Sequence, residues 1–381
     1  MTDSIEQRIL RDFRSFHEEP ELSYQEFHTT QKIKAELTDA GIKILPLKLE
    51  TGCVAELGSG QRCVALRCDI DALPVEEDPA HACRSKIPGK MHACGHDFHT
   101  ALILGSAMLL KQRESALKGR VRLIFQPAEE APGGAAKVLE SGALEGVEAI
   151  FGVHTIPLYA PGTLGIREGA THAAVDRFRI DFHGKGTHAA HPDLGVDTLQ
   201  AAAAFATAVQ SVVSRNSDPF ATNLLSVTRL EAGNTWNVIP ETAVIEGTIR
   251  TMSADNREMV KRRMTQMAEG IAASYGASAK VTWVFGLPAM NNDKRLSDFA
   301  RDLAQKDGFK AERTPASLGG EDFALYEERL PGAFVQVGTG PSLPNHNPGF
   351  VADQRALCPA AKFMAHLGAA YLETSVLGGA A

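Results

Sequence analysis

Apolar positions recur along this chain in two rhythms, and the change from one to the other divides it. Ile5, Ile9, Phe13 and Phe16 are spaced for one face of a helix that ends before Pro20. Ser23 and Glu26 have capping-box spacing and predict a second helix running to Gly41. Gly52–Leu57 and Cys63–Asp69 read as buried strands joined by the turn Gly58-Ser59-Gly60. Next come a helix over Thr100–Lys111, a strand over Val121–Phe125, a helix over Ala135–Glu140 closed by Gly142, and a strand over Ala149–Val153. Strands alternating with helices predict an α/β sheet covered on both faces.

From about Ala174 the pattern alternates as half-exposed strands do. Val175–Phe182 is a strand, Val196–Arg215 an Ala-rich helix, Leu224–Glu231 and Thr242–Arg250 two further strands. Ala254–Tyr275 is a long helix and Val281–Phe285 a last strand. This βαββαβ order is the ferredoxin-like split pattern. After Gly286 the earlier rhythm returns. The expected organisation is a larger domain over 1–173 and 286–381, with a smaller domain inserted at 174–285.

Three buried strands of the larger domain run into chemically loaded residues. Cys63–Leu66 leads to Asp69 and Asp71, Val121–Phe125 to Glu129 and Glu130, and Ala149–Val153 to His154. Ligand sites of open α/β sheets gather at such carboxyl ends.

Composition narrows the function classes. The chain has 381 residues and a formal net charge of −7, without a strongly basic stretch, which argues against nucleic acid as the main partner. No apolar run approaches the roughly 20 residues that span a bilayer. The opening MTDSIEQRIL carries acids where a signal peptide is basic and then apolar, so a cytoplasmic location is expected. In that compartment the six cysteines are expected as thiols, with Cys53, Cys63 and Cys68 in the core. Cys94 differs, because histidines and an aspartate surround it.

That surrounding is the run Met91-His92-Ala93-Cys94-Gly95-His96-Asp97-Phe98-His99. Thiolate and imidazole are ordinary zinc ligands, and a glycine between them lets the backbone turn both toward one centre. In Gln126-Pro127-Ala128-Glu129-Glu130, adjacent buried carboxylates need a cation; one can bind metal while its neighbour takes a proton. His154 and His346 raise the number of candidate ligands. The tripeptide His81-Ala82-Cys83 duplicates His92-Ala93-Cys94 but has no suitably placed acids after it, and reads as a surface loop.

The ordered set resembles the aminoacylase, hippurate hydrolase and auxin-conjugate hydrolase group of dimetal peptidases, over nearly the whole chain. It comprises Asp69-Ile70-Asp71-Ala72-Leu73-Pro74, the run Met91–Asp97, Gln126–Glu130, Gly184-Lys185-Gly186-Thr187-His188, Asn237-Val238-Ile239-Pro240 with Gly247–Arg250, Gly320-Glu321-Asp322-Phe323, and His346-Asn347-Pro348. The resemblance implies a metallopeptidase-type catalytic domain, a mixed sheet flanked by helices, with the inserted domain as lid and dimerisation element. It implies that Cys94, His96, Glu130, His154 and His346 hold two divalent ions per subunit, zinc, manganese, cobalt or nickel. Glu129 is then the general acid/base, Asp71 orients a metal-binding histidine, and His188 polarises the scissile carbonyl. Asn237 and Arg250 grip the substrate carboxylate, and both lie where they could converge on it from the inserted domain. Asp69 is left between a structural and a supporting role. The order His191-Pro192-Asp193 departs from the family, which often has a histidine after that proline. The expected activity is metal-dependent hydrolysis of small N-acyl amino acids by a homodimer. A dipeptidase or aminopeptidase acting on free N-termini, and a non-catalytic metal-binding relative, are the alternatives. No Gly-x-Ser-x-Gly elbow points to a serine hydrolase.

Overall fold

The computed structural model describes residues 4–374; the extremes of the expected larger domain, 1–3 and 375–381, lie outside the described residues. The chain forms two compact units. The larger runs to Gly169, resumes over Asn291–Pro315 and again from Leu325; the smaller holds Ala170–Met290 and Ala316–Ala324.

The larger unit is built on a mixed eight-stranded sheet. Its first six strands are β1 (Lys43–Ile44), β2 (Cys53–Gly58), β3 (Cys63–Asp69), β4 (Arg120–Gln126), β5 (Ala149–Ile156) and β6 (Thr163–Ile166). Strands Lys310–Glu312 and Gly332–Gly338 complete it, in the order β1, β2, β4, β3, β5, Gly332–Gly338, β6, Lys310–Glu312. β3 is parallel to both β4 and β5, and Gly332–Gly338 is parallel to β5. Four carboxyl ends therefore share one edge of the sheet. All seven residues of β3 are buried, as expected of a strand covered on both faces. Helix α1 (Ile5–Glu18), helix α2 (Phe27–Asp39) and helix α3 (His96–Gln112) contribute Ile9, Phe16, Ile33, Leu37, Phe98 and Leu102 to the core around it. A buried side chain of this size stabilises by roughly 1.5–3 kcal/mol.

The capping box expected at Ser23 and Glu26 does not form. Helix α2 begins at Phe27 with no side-chain cap. Ser23 Oγ instead donates to Asp71 Oδ2 at 2.6 Å, and Glu26 Oε1 accepts the Ala128 N–H at 2.8 Å. Both side chains are drawn to the ends of β3 and β4, where buried polar groups need them more than an exposed helix end does. Helix α3 begins four residues earlier than expected, so His96 and His99 lie in its first turn, and β5 runs on to include His154.

The smaller unit has the ferredoxin-like arrangement. Its antiparallel sheet runs Asn223–Ala232, Thr242–Thr251, Ala174–His183, Ser278–Leu287. Alternate residues Phe178, Ile180, Phe182, Ala243, Ile245 and Ile249 pack under Phe205, Val212, Val260 and Met264 of the helices. The expected helix over Val196–Arg215 is two, Thr198–Ala208 and Gln210–Asn216. The break at Val209 falls where the alanine run gives way to β-branched Val209, Val212 and Val213, which are stiffer in a helix. No helix of the described residues is long and apolar enough to cross a membrane.

Candidate functional site

Asp71, just past β3, organises the loops around it. Its Oδ1 accepts His96 Nδ1–H at 3.1 Å and the Glu129 N–H at 3.1 Å; its Oδ2 accepts Ser23 Oγ–H and the Glu130 N–H at 3.1 Å. One buried carboxylate thus fixes a histidine ring and both glutamate backbones. Ala128 stands at φ 53° immediately before them, a conformation costing about 1–3 kcal/mol and held here by the Glu26 bond. The turn it makes sets the directions of Glu129 and Glu130.

The rings of His96 and His154 are oriented by bonds that determine their tautomers. His96 Nδ1 carries the proton given to Asp71, and its buried Nε2 has no hydrogen-bond partner. His154 Nδ1 lies 2.7 Å from the Thr155 carbonyl, which can only accept, so Nε2 offers its lone pair beside Cys94 Sγ at 3.4 Å. Gly95, at φ 83°, joins Cys94 to His96; a Cβ there would stand 2.6 Å from Thr155 Oγ1. Glycine is required on both counts.

The ligand-type atoms of Cys94, Glu130 and His346 lie within 4.8 Å of one another, as do those of His96, Glu129 and Glu130. A third such group holds Asp69, His96, His99 and His154. His96 and Glu130 link these sets. Glu130 Oε1 is buried 3.0 Å from His346 Nε2, yet the pair lacks hydrogen-bond geometry, and Oε1 lies 3.9 Å from His96 Nε2. The partnerless His96 Nε2 and Glu130 Oε1, with the Cys94 sulfur and further imidazoles clustered beside them, fit divalent metal. His346 itself stands at φ 69°. Its N–H donates to the Ala93 carbonyl at 2.8 Å, and Asn345 Nδ2 donates to the Cys94 carbonyl at 3.2 Å.

The electrostatics also call for positive charge. Burial raises the Cys94 thiol, but His154, His346 and His96 outweigh it and hold the thiol well below its usual range. The negative charges of Cys94 and Glu130 beside it push His346 up to about 10, against the opposing effect of burial. Burial raises the Glu130 carboxyl. Asp71 is lowered: burial works against its charge, and the bonds from His96, Ser23 and Glu130 prevail.

Three contributors were not assigned from the sequence. Asn345 Nδ2 approaches Cys94 Sγ at 3.4 Å, and Ser23 supports Asp71. His99 sits fully buried against Asp69, Nδ1 to Oδ1 2.6 Å, while Arg67 Nη1 donates to Asp69 Oδ2 at 2.8 Å. His96 and His99 are three apart on one helix face, and that spacing was the available signal.

In the smaller unit, His188 and Asn237 share a two-stranded ribbon in which Val238 pairs with His188. His188 Nδ1 accepts the Ala190 N–H at 3.0 Å, leaving Nε2–H outward as a donor. His191 lies beside it, ring centroids 5.8 Å apart. Asn237 Oδ1 accepts from Thr235 Oγ1 at 3.3 Å, and neighbouring Trp236 is 91% exposed. Arg250 lies elsewhere. The ribbon joins the sheet where Thr242 pairs with His183, whereas Arg250 pairs with Val175 at the far end of the same strand. Eight residues of extended chain span about 27 Å. The expected convergence of Asn237 and Arg250 from one smaller unit therefore does not occur, because a strand holds its ends apart.

Residues 65–369 match the sequence profile of Peptidase family M20/M25/M40. The chain belongs to this family. It is 47% identical to an N-acetylcysteine deacetylase of Bacillus subtilis, covering 96% of this chain and 97% of that protein. It is 38% identical to IAA-amino acid hydrolase ILR1-like 5 of Arabidopsis thaliana, over 94% and 85% of the two chains. A Bacillus subtilis crystal structure described as a dinuclear metal binding peptidase from the M20 family superposes with a TM-score of 0.88 at 44% identity, covering 97% and 99%. A putative aminohydrolase from methicillin-resistant Staphylococcus aureus superposes at 0.93 with 29% identity, covering 96% and 97%.

The duplicated tripeptide of this M20 chain has a separate environment. His81 Nδ1 bonds Glu77 Oε1 at 2.8 Å, and Cys83 is exposed. Among the described residues, neither falls in a group able to hold a metal ion.

Proposed function

We propose that this chain hydrolyses the amide bond of small N-acyl amino acids, N-acetyl amino acids foremost, using two divalent cations held by Cys94, His96, Glu130, His154 and His346. The observation that carries the reading is the clustering of ligand-type atoms of Cys94, His96, Glu130, His154 and His346 near the carboxyl ends of β3, β4 and β5, with His96 Nε2 and Glu130 Oε1 buried without a hydrogen-bond partner. The N-acetylcysteine deacetylase and IAA-amino acid hydrolase relatives support the substrate class. Thiolate and imidazole favour zinc; manganese, cobalt and nickel suit the rest of the donor set.

Two bound cations lower the pKa of a water and polarise a carbonyl oxygen. Glu129 takes the proton from the attacking water as its oxygen bonds to the amide carbon. His188 Nε2–H donates to the carbonyl oxygen as negative charge builds there. The C–N bond then breaks, and Glu129 passes its proton to the departing nitrogen. A carboxylic acid and a free amino acid leave. Asp71 keeps His96 Nε2 bare for the cation by holding its Nδ1 proton.

Asn237 and Arg250 grip the α-carboxylate, the guanidinium as a charge-assisted donor. Their separation within one smaller unit supports a homodimer in which the two come from different copies, with His188 serving the partner's centre. Mixing His188→Ala with Glu129→Gln protein tests this. A hybrid dimer has one site with both lesions and one with neither, so partial activity returns. Verified hybrids without recovered activity reject the assignment. The cytoplasm, which keeps Cys94 reduced, is the fitting compartment.

A further inference from the structure

His99 has the company of a metal ligand and the bonding of something else. It lies with Asp69, His96 and His154, all four offering donor atoms within 4.8 Å. Its Nε2, however, accepts the Thr155 backbone N–H at 2.7 Å. A backbone N–H can only donate, so Nε2 carries no proton and its lone pair is used. The ring proton is on Nδ1, 2.6 Å from Asp69 Oδ1. Neither nitrogen is left for a cation.

The position of this bond in the sheet gives it a purpose. The parallel ladder between β3 and β5 ends at the pair Arg67–Gly152, three residues short of Thr155. Beyond it the Asp69 and His99 side chains reach from β3 and α3 to the Thr155 N–H. The Thr155 carbonyl in turn holds His154 Nδ1–H at 2.7 Å, and Thr155 Oγ1 donates to the Cys94 carbonyl at 3.1 Å. Asp69 is fixed from behind by Arg67, whose Nε donates to Gln126 Oε1 at 2.9 Å; that oxygen also accepts Tyr326 Oη–H at 2.9 Å.

We infer that His99 is a positioning residue: with Asp69 and Arg67 it extends the sheet ladder by one side-chain rung, fixing the Thr155 backbone so that His154 presents Nε2 to a cation. The inference rests on His154 being a ligand, as proposed above, and it gives Asp69 the role the sequence left open. Outer partners of metal-binding histidines commonly act in this way.

The test uses the full chain with zinc alone as probe, its affinity read by competition with a chromogenic chelator. His99→Leu keeps bulk and loses both bonds, and is expected to weaken zinc binding about 10–100-fold. His99→Gln can still accept from Thr155 N–H and is expected to stay within a few-fold of wild type. Melting of the chelator-treated proteins separates a folding defect from a binding one. Unchanged zinc affinity in His99→Leu overturns the inference, and so does a His99→Gln variant as weak as His99→Leu. If His99→Leu does not fold, histidine-selective nitrogen NMR of wild type decides: Nδ1–H tautomers at both His99 and His154 are expected, and an Nε2–H tautomer at either overturns it. A wild-type chain that binds no zinc, manganese, cobalt or nickel sinks the parent reading, a result distinct from a variant-specific failure.

Discussion

The two regions that carry the proposed chemistry are built on opposite principles. Around the carboxyl ends of β3, β4 and β5, the ring orientations of His96 and His154 are set by protein partners, and Asp71 alone accepts four bonds. His188 in the smaller unit is exposed, with one backbone N–H fixing its ring and an exposed tryptophan one residue from Asn237. Cation ligands must be in place before the ion arrives, since a loose site wastes binding energy on ordering. Groups that meet substrate late in a reaction gain from staying open until it binds. On the proposed assignment, the larger unit is preorganised for metal, whereas the smaller keeps its groups open until substrate binds.

The strongest way to break that contrast is at Glu129. Glu129→Gln should lower kcat by about 10²–10⁴-fold with metal content unchanged, because the amide cannot accept a proton. A variant within a few-fold of wild type would mean that the wrong carboxylate is assigned. His188→Ala should cost about 10²–10³-fold in kcat, the usual loss of an oxyanion donor, with KM little changed. A pure KM effect would make it a binding residue instead.

The duplicated tripeptides sharpen the contrast within the larger unit. Cys94→Ser should weaken metal binding by roughly tenfold or more, since even outer partners cost that much. Cys83→Ser should leave affinity unchanged, and equal losses would revive the His81–Cys83 segment as a site. For the smaller unit, Arg250→Ala should raise KM for substrates with a free α-carboxylate by about ten- to a hundredfold, from a charged hydrogen bond of about 1.5–3 kcal/mol. The corresponding amides should be nearly unaffected.

The smallest effect concerns His17, bonded to Asp97 of the His92–His99 run. Burial lowers its pKa, but Asp97 Oδ2 at 2.7 Å and Glu77 Oε1 at 3.0 Å raise it to about 10, above its ordinary 6.5. A raised histidine stabilises fully below its unfolded value and loses that contribution as pH climbs through its folded one. The gap in melting temperature between wild type and His17→Gln should therefore be widest below about 6.5 and close toward pH 10. A gap constant over that range would show that the ion pair contributes nothing.

Periodicity made the strands legible, and strand ends made Asp71, Glu129 and Glu130 legible, because burial on both faces leaves an unbroken apolar signature. What escaped was long-range bonding. Ser23 read as a helix cap because its neighbours allowed it; its partner Asp71 lies 48 residues away. Asn345 meets Cys94 across 251 residues, and His99 meets Thr155 across 56. No local pattern encodes such pairs. The Asn237–Arg250 error has the same origin, since thirteen positions in sequence suggest proximity that an extended strand forbids.

Metal content titrated against turnover of N-acetyl amino acids tests the account most directly. After chelation, verified by elemental analysis, release of the free amino acid should stop, and it should return as zinc or manganese approaches two ions per chain. Full turnover by verified metal-free protein would contradict the account.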